Sequence, residues 1–295
     1  MRDKVAHEAV MVNQVINSLI VDKKGTYVDG TFGLGGHASA ILNNLDNDAT
    51  LFGLDRDPEC QNYADEIIQE DKRFLFINDR FSNLQTHFLK ESLDGILVDL
   101  GISSKQLDDP ERGFTFQANG PLDMRMNQVE EFSASDWLKD ASKEEISNVL
   151  WELGEERKSR KIAELICKAR VLKPIITTKH LSEIILLAKS RNSKRHPATN
   201  TFRAIRMKVN SELQELEGLL LAAGKLLKEG GRLVVISFHS MEDRIVKRFF
   251  QGKSTVGERY NFKKIGEKFF KPDLEEMRVN PRSRSAILRV GEKVA

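Results

Sequence analysis

The chain has 295 residues, of which 40% are hydrophobic and 31% are charged, so it can bury a full core in one large domain or two smaller ones. No apolar run approaches the roughly 20 residues of a membrane-spanning helix, and the N-terminus lacks the apolar segment of a signal peptide, which predicts a cytoplasmic protein without a membrane partner. Two cysteines without CxxC spacing and six scattered histidines indicate neither a disulfide framework nor a metal site.

Residues 1–105 are predicted to alternate helices and strands. A helix in HEAVMVNQVINSLI precedes four short apolar runs, most of them separated by helix-length stretches. These runs are TYVDG, TLFGLD, RFLFIND and LDGILVDLG. Nearly continuous apolar character is typical of parallel strands covered on both faces, so the segment predicts βαβ units of an α/β sheet.

Residues 106–212 are predicted to form an all-helical insertion. A loop rich in Asp, Gly and Pro comes first, and only helical patterns follow it. Ser142 and Glu145 have the spacing of a capping box, and Ile162 and Ile166 lie one helical turn apart. We therefore expect a helical domain inserted into the α/β sheet.

Residues 213–295 return to the α/β pattern. A helix over SELQELEGLLLAAGKLLKEGG is expected to end at Gly230 and Gly231, and the buried strand RLVVISFHS follows it. A helix over residues 242–250 and a final run, SAILRVGEKV, complete the chain. The most economical fold is one Rossmann-like sheet interrupted by the helical domain.

The net charge of +2 hides a strongly basic segment. Between Arg157 and Lys208 the chain carries fifteen Lys or Arg residues against two acids, Glu164 and Glu183. Solvated helix faces are the alternative for any charged run, but such one-sidedness over fifty residues favours a polyanionic partner, nucleic acid above all.

A glycine-rich loop, DGTFGLGGHA, lies between a predicted strand and a predicted helix. Gly33, Gly35 and Ala38 fit the dinucleotide-binding fingerprint, and Asp55 stands at the end of the next strand, where a carboxylate accepts from ribose hydroxyls. The pattern predicts a nucleotide-like cofactor, either a dinucleotide or S-adenosylmethionine. Glycines that serve only a tight turn are the alternative.

Asp29 stands at the entrance of this loop. A carboxylate repels a pyrophosphate, whereas S-adenosylmethionine carries a sulfonium and an ammonium and no phosphate. Asp29 therefore favours S-adenosylmethionine, unless backbone donors satisfy its carboxylate away from the ligand.

Asp99 follows the apolar run Ile96-Leu97-Val98, at the carboxyl end of a predicted strand, where α/β sheets hold their reacting groups. Methyl transfer to an amine requires an in-line arrangement and an acceptor for the amine protons, and Asp99 is the predicted catalytic residue. The alternative is that it braces the turn. Since Cys60 and Cys167 lie elsewhere, a covalent thiolate route to pyrimidine carbon methylation is not expected.

Several long blocks carry a resemblance to a known family. They are DGTFGLGGH, LDRDP, DGILVDLGISSKQLDDPERGF, GPLDMRM, HPATNTFRAIRMKVNSEL, GGRLVVISFHSMEDRIVKRFF and NPRSRSAILR. Through nearly its whole length the chain resembles the bacterial RsmH family, also called MraW. The resemblance implies an S-adenosylmethionine-dependent methyltransferase that acts on the N4 amine of a decoding-region cytidine in 16S rRNA. The expected partner is this RNA within the small ribosomal subunit.

The resemblance also implies the cofactor contacts. They fall on Gly35, Gly36, His37, Asp55, Phe81, Asp99 and Gln106. Phe81 would lie against the adenine, although core packing alone also accounts for a phenylalanine. The NPPY-like element of many amino-methyltransferases is replaced by DLGISS, so the group that receives the amine proton stays open.

A second set of residues is expected to meet the RNA. Asp123 with Arg125, and His239 after the strand VVISF, are candidates for positioning the target base, although a lone histidine is more often a structural hydrogen-bonding partner. The candidates for phosphate contacts are Arg203, Arg206, Arg282 and Arg284. An exposed apolar face on the insertion would also support a homodimer.

Two rival functions remain open on the residues alone. A nicotinamide-dependent oxidoreductase would explain the glycine loop but not the basic insertion. A non-catalytic RNA-binding factor would explain the insertion but would leave the cofactor residues idle.

Overall fold

The structure is a computed structural model, and it describes residues 9–189, 196–253 and 257–295. The chain divides into two compact units. The first, the sheet unit, runs up to Gly101 and resumes at Leu213, and the second, the helical unit, is Ile102–Glu212. The sequence prediction put these two boundaries after residues 105 and 212.

A seven-stranded sheet forms the centre of the sheet unit in the described part of the chain. Its strands are Thr26–Asp29 (β1), Thr50–Asp55 (β2), Phe74–Asn78 (β3), Leu93–Asp99 (β4), Leu227–Ser237 (β5), Phe262–Lys264 (β6) and Ile287–Lys293 (β7). The spatial order is β3-β2-β1-β4-β5-β7-β6, and β7 runs antiparallel to both of its neighbours. The strand order reverses between β1 and β4, which creates the switch point where open α/β sheets bind ligands.

Helices cover both faces of this sheet. They are Val12–Leu19 (α1), Gly36–Leu42 (α2), Gln61–Glu70 (α3), Leu84–His87 (α4), Glu212–Leu226 (α11), Ser240–Phe250 (α12) and Leu274–Val279 (α13). Leu97 of β4 packs in one core with residues of α1 and α2, while its neighbours Ile96 and Val98 pack in another with residues of α11 and α12. The alternation along β4 confirms the predicted Rossmann-like α/β fold, with a central strand buried on both sides.

The prediction that α11 ends at Gly230 and Gly231 is wrong. The helix ends at Leu226, and the strand β5 begins at the next residue. Backbone N–H groups just before β4 donate hydrogen bonds to the carbonyls of Lys225 and Leu226. Pairing with this part of the chain therefore replaces the last predicted helical turn. Gly230 lies inside β5 with φ +79°, where the pairing with β4 is irregular.

Six helices form the helical unit in the described part of the chain. They are Ser104–Asp108 (α5), Ala134–Asp140 (α6), Lys143–Glu152 (α7), Ser159–Leu172 (α8), Thr178–Ala188 (α9) and Thr199–Val209 (α10). Their apolar faces share one core that includes Ile146, Ile162 and Ile166. Ser142 caps α7 by accepting from the backbone N–H of Glu145 at 3.0 Å, but the structure gives only this half of the predicted capping box, since the Glu145 carboxylate accepts from the indole of Trp137.

The long loop before α6 is held by a buried amide. Asn210 donates to the carbonyl of Met124 and accepts from the N–H of Met126, both at 2.7 Å. This loop therefore has a fixed path despite its lack of regular structure. Across the described residues, no helix combines the length and the apolar character needed to cross a membrane.

Candidate active site

Three aspartates end three neighbouring strands of the sheet unit. Asp29 ends β1, Asp55 ends β2 and Asp99 ends β4. Because these strands are parallel and adjacent, their carboxyl ends lie along one edge, which includes the switch point between β1 and β4. Side chains that are far apart in the sequence are thereby gathered beside the glycine loop.

The glycine loop is fixed to the strands on either side of it. The N–H of Gly30 donates to the carbonyl of Leu97 in β4 at 2.8 Å, and the N–H of Phe32 donates to the carbonyl of Leu54 in β2 at 3.0 Å. Gly35 has φ +80°, and a Cβ added there would lie 2.8 Å from the Cδ1 of Ile67. Both the backbone conformation and the packing therefore require glycine at this position.

Asp55 braces this loop. Its Oδ2 accepts from the N–H of Gly33 at 2.8 Å and its Oδ1 accepts from the N–H of Asp57 at 2.9 Å. Burial raises the pKa of Asp55, and these two donors oppose the rise. Each carboxylate oxygen has a further lone pair, so a ribose hydroxyl remains a suitable donor.

Asp29 is fully buried and only half satisfied. Its Oδ1 accepts from the N–H of Thr31 at 3.2 Å, whereas its Oδ2 has no hydrogen-bond partner among the residues that the structure describes. Burial raises the pKa of Asp29 to about 6, although His37 and the N–H of Thr31 favour the charged form. A backbone donor thus satisfies one oxygen and leaves the other for a ligand.

His37 and Asp99 form the centre of the site. The Nε2 of His37 lies 3.6 Å from the Oδ2 of Asp99, and both side chains are shielded from solvent. Desolvation works against protonation of His37, but the carboxylates of Asp99 and Asp29 outweigh it, so the pKa of His37 is raised. The backbone N–H of Asp99 donates to the Oγ1 of Thr31 at 2.6 Å, a contact that sequence reasoning missed.

Several buried polar atoms of the site lack a partner in the described parts of the chain: Oδ2 of Asp29, Oδ1 of Asp99 and both ring nitrogens of His37. A buried polar atom without a partner costs free energy, so such a cluster indicates a ligand-binding site. A ligand with positive charge and hydrogen-bond donors offsets the two carboxylates. The sulfonium and ammonium of S-adenosylmethionine fit this requirement, whereas a pyrophosphate does not.

The remaining predicted cofactor residues lie in different surroundings. Phe81 begins a short 3-10 turn after β3 and packs, partly buried, against the core that contains Ile96 and Val98. A Cβ added at Gly30 would lie 3.5 Å from the Cβ of Phe81, so this residue also lies next to the glycine loop. Gln106 belongs to the helical unit. Its backbone and side chain form a reciprocal capping box with Ser103 at the start of α5. Gly36 is the first residue of α2.

The residues predicted to position the base are held by structural contacts. Arg125 grips the carboxylate of Asp123 with two hydrogen bonds of 2.8 and 2.7 Å. His239 caps α12, with its Nδ1 accepting from the N–H of Glu242 at 3.4 Å and its Nε2 lying 3.0 Å from a carboxylate oxygen of Glu242. These contacts within the sheet unit agree with the alternative that His239 is a structural hydrogen-bonding partner.

The four predicted phosphate-binding arginines have different surroundings. Arg206 makes two hydrogen bonds of 2.7 Å to the carboxylate of Glu212 within the helical unit. Arg203 donates to the carbonyl of Gly154 at 3.0 Å. Arg282 and Arg284 are exposed, in a 3-10 turn just before β7.

The basic segment is partly neutralised within the helical unit. Lys161 and Lys168 both contact Glu164, and Lys189 contacts the buried Glu156 at 2.5 Å. Three of its members lie outside the described residues: Arg191, Lys194 and Arg195. Exposed cations for which the structure gives no ion pair among the described residues are Arg157, Lys158, Arg160, Lys173 and Lys179.

Comparison with known proteins gives a family match over nearly the whole chain. The model of the MraW methylase family matches residues 4–294. Ribosomal RNA small subunit methyltransferase H from Marinomonas sp. (strain MWYL1) is 45% identical, with 98% of this chain and 97% of that protein covered. The enzyme of the same name from Idiomarina loihiensis is 47% identical over the same shares. A solved structure, a putative rRNA-methylase from Clostridium thermocellum, covers 96% of this chain and 93% of its own at 11% identity, with a TM-score of 0.45, a likeness too weak to support any inference.

Proposed function

Since the chain belongs to the MraW methylase family, we propose that it transfers a methyl group from S-adenosylmethionine to the N4 amine of a cytidine in the decoding region of 16S rRNA. The observation that carries this proposal is the cluster of buried polar atoms on Asp29, His37 and Asp99 that have no hydrogen-bond partner among the described residues. The names of the relatives at 45% and 47% identity support an rRNA substrate.

S-adenosylmethionine is the cofactor of this chain, and it supplies a methyl carbon made electrophilic by a neighbouring sulfonium. Asp29 would offer its unpaired oxygen to the positive charge, and Asp55 would accept from the ribose. Gly35 and Gly36 would let the backbone approach closely, and Phe81 would line the adenine side. The predicted contact of Gln106 stays a prediction.

Asp99 is proposed to act on the nucleophile. Its Oδ1 is a buried acceptor without a partner in the described parts of the chain, so it can take a hydrogen bond from the N4 amine and hold that amine in line with the methyl carbon. As N4 forms its bond to the methyl carbon, the methyl–sulfur bond would break and its electron pair would return to sulfur, leaving a neutral thioether. N4 must also lose a proton, and the same oxygen can accept it. His37, 3.6 Å from the other oxygen, would stabilise the negative charge of Asp99 before the proton arrives.

The helical unit is proposed to bind RNA around the target. Its exposed cations supply phosphate contacts, and an enzyme that reacts at a base edge needs an unpaired or locally opened nucleotide. We therefore propose folded 16S rRNA, within the small ribosomal subunit in the cytoplasm, as the substrate. The homodimer stays a prediction.

Labelled S-adenosylmethionine and small ribosomal subunits that lack the modification test the proposal. We expect label on rRNA, and mass mapping should place it on the N4 of one decoding-region cytidine. Label at another nucleotide, or on protein, contradicts the substrate. Equilibrium dialysis against NADH and S-adenosylmethionine separates the methylase from the nicotinamide-dependent alternative.

The role of Asp99 is tested in the same assay. With saturating cofactor, Asp99→Ala should lower the rate roughly a hundredfold or more, because general-base contributions have that size. Asp48→Ala is the matched control, since Asp48 is an exposed acid of the sheet unit, paired with Lys24 at 3.1 Å. An Asp99→Ala variant that methylates at the parental rate would refute this role.

A further inference from the structure

The helical unit contains a cavity of about 580 Å³. Among the predicted site residues, Arg203 lines it. It is lined by Trp151, Glu152, Glu155, Arg157, Asn200 and Arg203. Trp151 is 60% exposed, whereas the other tryptophan, Trp137, is half-buried and donates to a carboxylate oxygen of Glu145 at 2.9 Å. A large aromatic ring thus stands open to solvent in a concave polar site.

Local backbone geometry builds this cavity. A Cβ added at Gly154 would lie 2.6 Å from the carbonyl oxygen of Leu150 and 2.9 Å from that of Asn200, so only glycine lets the end of α7 approach the start of α10 this closely. The next residue, Glu155, has φ +51°, which is uncommon for a residue with a side chain. Arg203 fixes the junction through its bond to the Gly154 carbonyl. The ring of Trp151 and the two arginines therefore line one space.

The groups around this space match the parts of a nucleotide. An exposed indole face stacks a base, and guanidinium groups bind phosphate oxygens with directed hydrogen bonds. Asn200 offers a side-chain amide, and Glu152 and Glu155 offer acceptors for an exocyclic amine or a 2′-hydroxyl. A purely anionic ligand would be disfavoured by these two carboxylates, whereas a base with its sugar and one phosphate uses every kind of group present.

We propose that this cavity binds one unpaired RNA nucleotide, with its base stacked on Trp151 and its phosphate held by Arg157 and Arg203. The inference rests on the proposed function in that it takes RNA as the partner. All of the residues that would contact this nucleotide belong to the helical unit. Binding there is an anchoring step and requires no chemistry.

The test uses the full chain and a fluorescein-labelled oligo-uridine of about twelve nucleotides, followed by anisotropy. Trp151→Ala should weaken binding roughly fivefold to a hundredfold, and Trp151→Phe should restore most of the loss, because stacking needs a ring. Leu172→Ala is the matched control, since Leu172 is an 88% exposed apolar residue of the same unit that does not line the cavity. Arg157→Gln should reduce the salt dependence by about one phosphate contact.

A second measurement follows the ring itself. Uridine monophosphate should quench the tryptophan emission of the parental protein, and the quenching should vanish in Trp151→Phe, where only Trp137 emits. Circular dichroism and S-adenosylmethionine affinity should be the same in all variants, which excludes misfolding as the cause. If Trp151→Ala binds the oligonucleotide as Leu172→Ala does, the proposal is wrong and the cavity is left for a protein partner. If the ring-dependent binding is found but no rRNA is labelled, the proposed function fails while the cavity assignment stands.

Discussion

Replacing Asp29 by Asn should change how the stability of the unliganded protein depends on pH. As the pH rises, the free energy of unfolding of Asp29→Asn should increase relative to that of the parental protein. Asp29 is fully buried, one of its oxygens has no hydrogen-bond partner within the described ranges, and burial raises its pKa to about 6. The folded state therefore holds this proton more tightly than the unfolded chain does. The corresponding stability is complete below the unfolded pKa of 3.8 and is lost as the pH rises through 6. An asparagine carries no such proton.

The size of the effect follows from the two pKa values. A rise from 3.8 to about 6 corresponds to about 3 kcal/mol in the free energy of unfolding, at 1.36 kcal/mol per pKa unit. The buried NH₂ group of the asparagine costs roughly 1–3 kcal/mol, but this cost does not depend on pH. The difference in stability between Asp29→Asn and the parental protein should therefore shift by roughly 2.5 kcal/mol in favour of the variant between pH 4 and pH 7.5, because part of the full change has already occurred at pH 4, just above the unfolded pKa of 3.8.

Urea unfolding of the unliganded protein, followed by far-ultraviolet circular dichroism at several pH values, measures this difference. Asp48→Asn is the control, because it makes the same chemical change at an exposed carboxylate. The reasoning is refuted if the difference for Asp29→Asn changes no more with pH than the difference for Asp48→Asn does, since the folded state then carries no ionisation penalty at Asp29.

The same substitution should weaken cofactor binding. Hydrogen bonds to charged groups contribute about 1.5–3 kcal/mol, so Asp29→Asn should lower the affinity for S-adenosylmethionine roughly tenfold or more. Near pH 6 the parental protein should release a proton on binding, because the cation favours the carboxylate. Calorimetry in buffers of different ionisation enthalpy measures this release, and unchanged affinity with unchanged proton release would show that Asp29 does not face the ligand.

Two further substitutions test the loop and the basic helix. Gly35→Ala should weaken cofactor binding and destabilise the protein by more than the roughly 1–2 kcal/mol that an alanine with left-handed backbone costs. Gly230→Ala is the control, because Gly230 has φ +79° and open space around it, so its replacement should show the backbone cost alone. Equal losses of stability in thermal unfolding would contradict the contact with Ile67. Arg206→Gln should destabilise the helical unit by about 3 kcal/mol, read from tryptophan fluorescence, because Glu212 loses both hydrogen bonds. It should leave the salt dependence of RNA binding unchanged, and a reduced slope would restore the predicted phosphate contact.

Much of the sheet could be predicted because its strands are strongly patterned. β4 is apolar at nearly every position, and the polar residues that follow it identify its carboxyl end. The end of α11 could not be predicted, since its sequence continues with helix-compatible Leu227 and Lys228 up to a glycine pair. Sheet pairing with the chain before β4 decides that boundary, and such a long-range contact leaves no local signal.

The site was predictable in its positions but not in its contacts. Glycine spacing and strand ends identify Gly35, Asp55 and Asp99, because backbone conformation and topology restrict the residues that fit there. The contact of Thr31 with the backbone of Asp99, and the pairing of Arg206 with Glu212, depend on side-chain geometry in the folded chain. The sequence shows that a charged residue can bind an ion of opposite charge, but it does not show which side chain of the folded protein already pairs with that residue.

The break in the sheet unit has a consequence for synthesis of the chain. The strands β1 to β4 leave the ribosome first, yet β4 must wait for β5, and the ion pair that joins them links Asp94 to Lys228, 134 residues later. At ordinary translation rates that delay is on the order of ten seconds. During it, the future centre of the sheet is an open, almost wholly apolar edge on a nascent polypeptide, while the helical unit can fold from nearby contacts. The insertion therefore sets the interval in which a newborn chain is most exposed to aggregation and to chaperones.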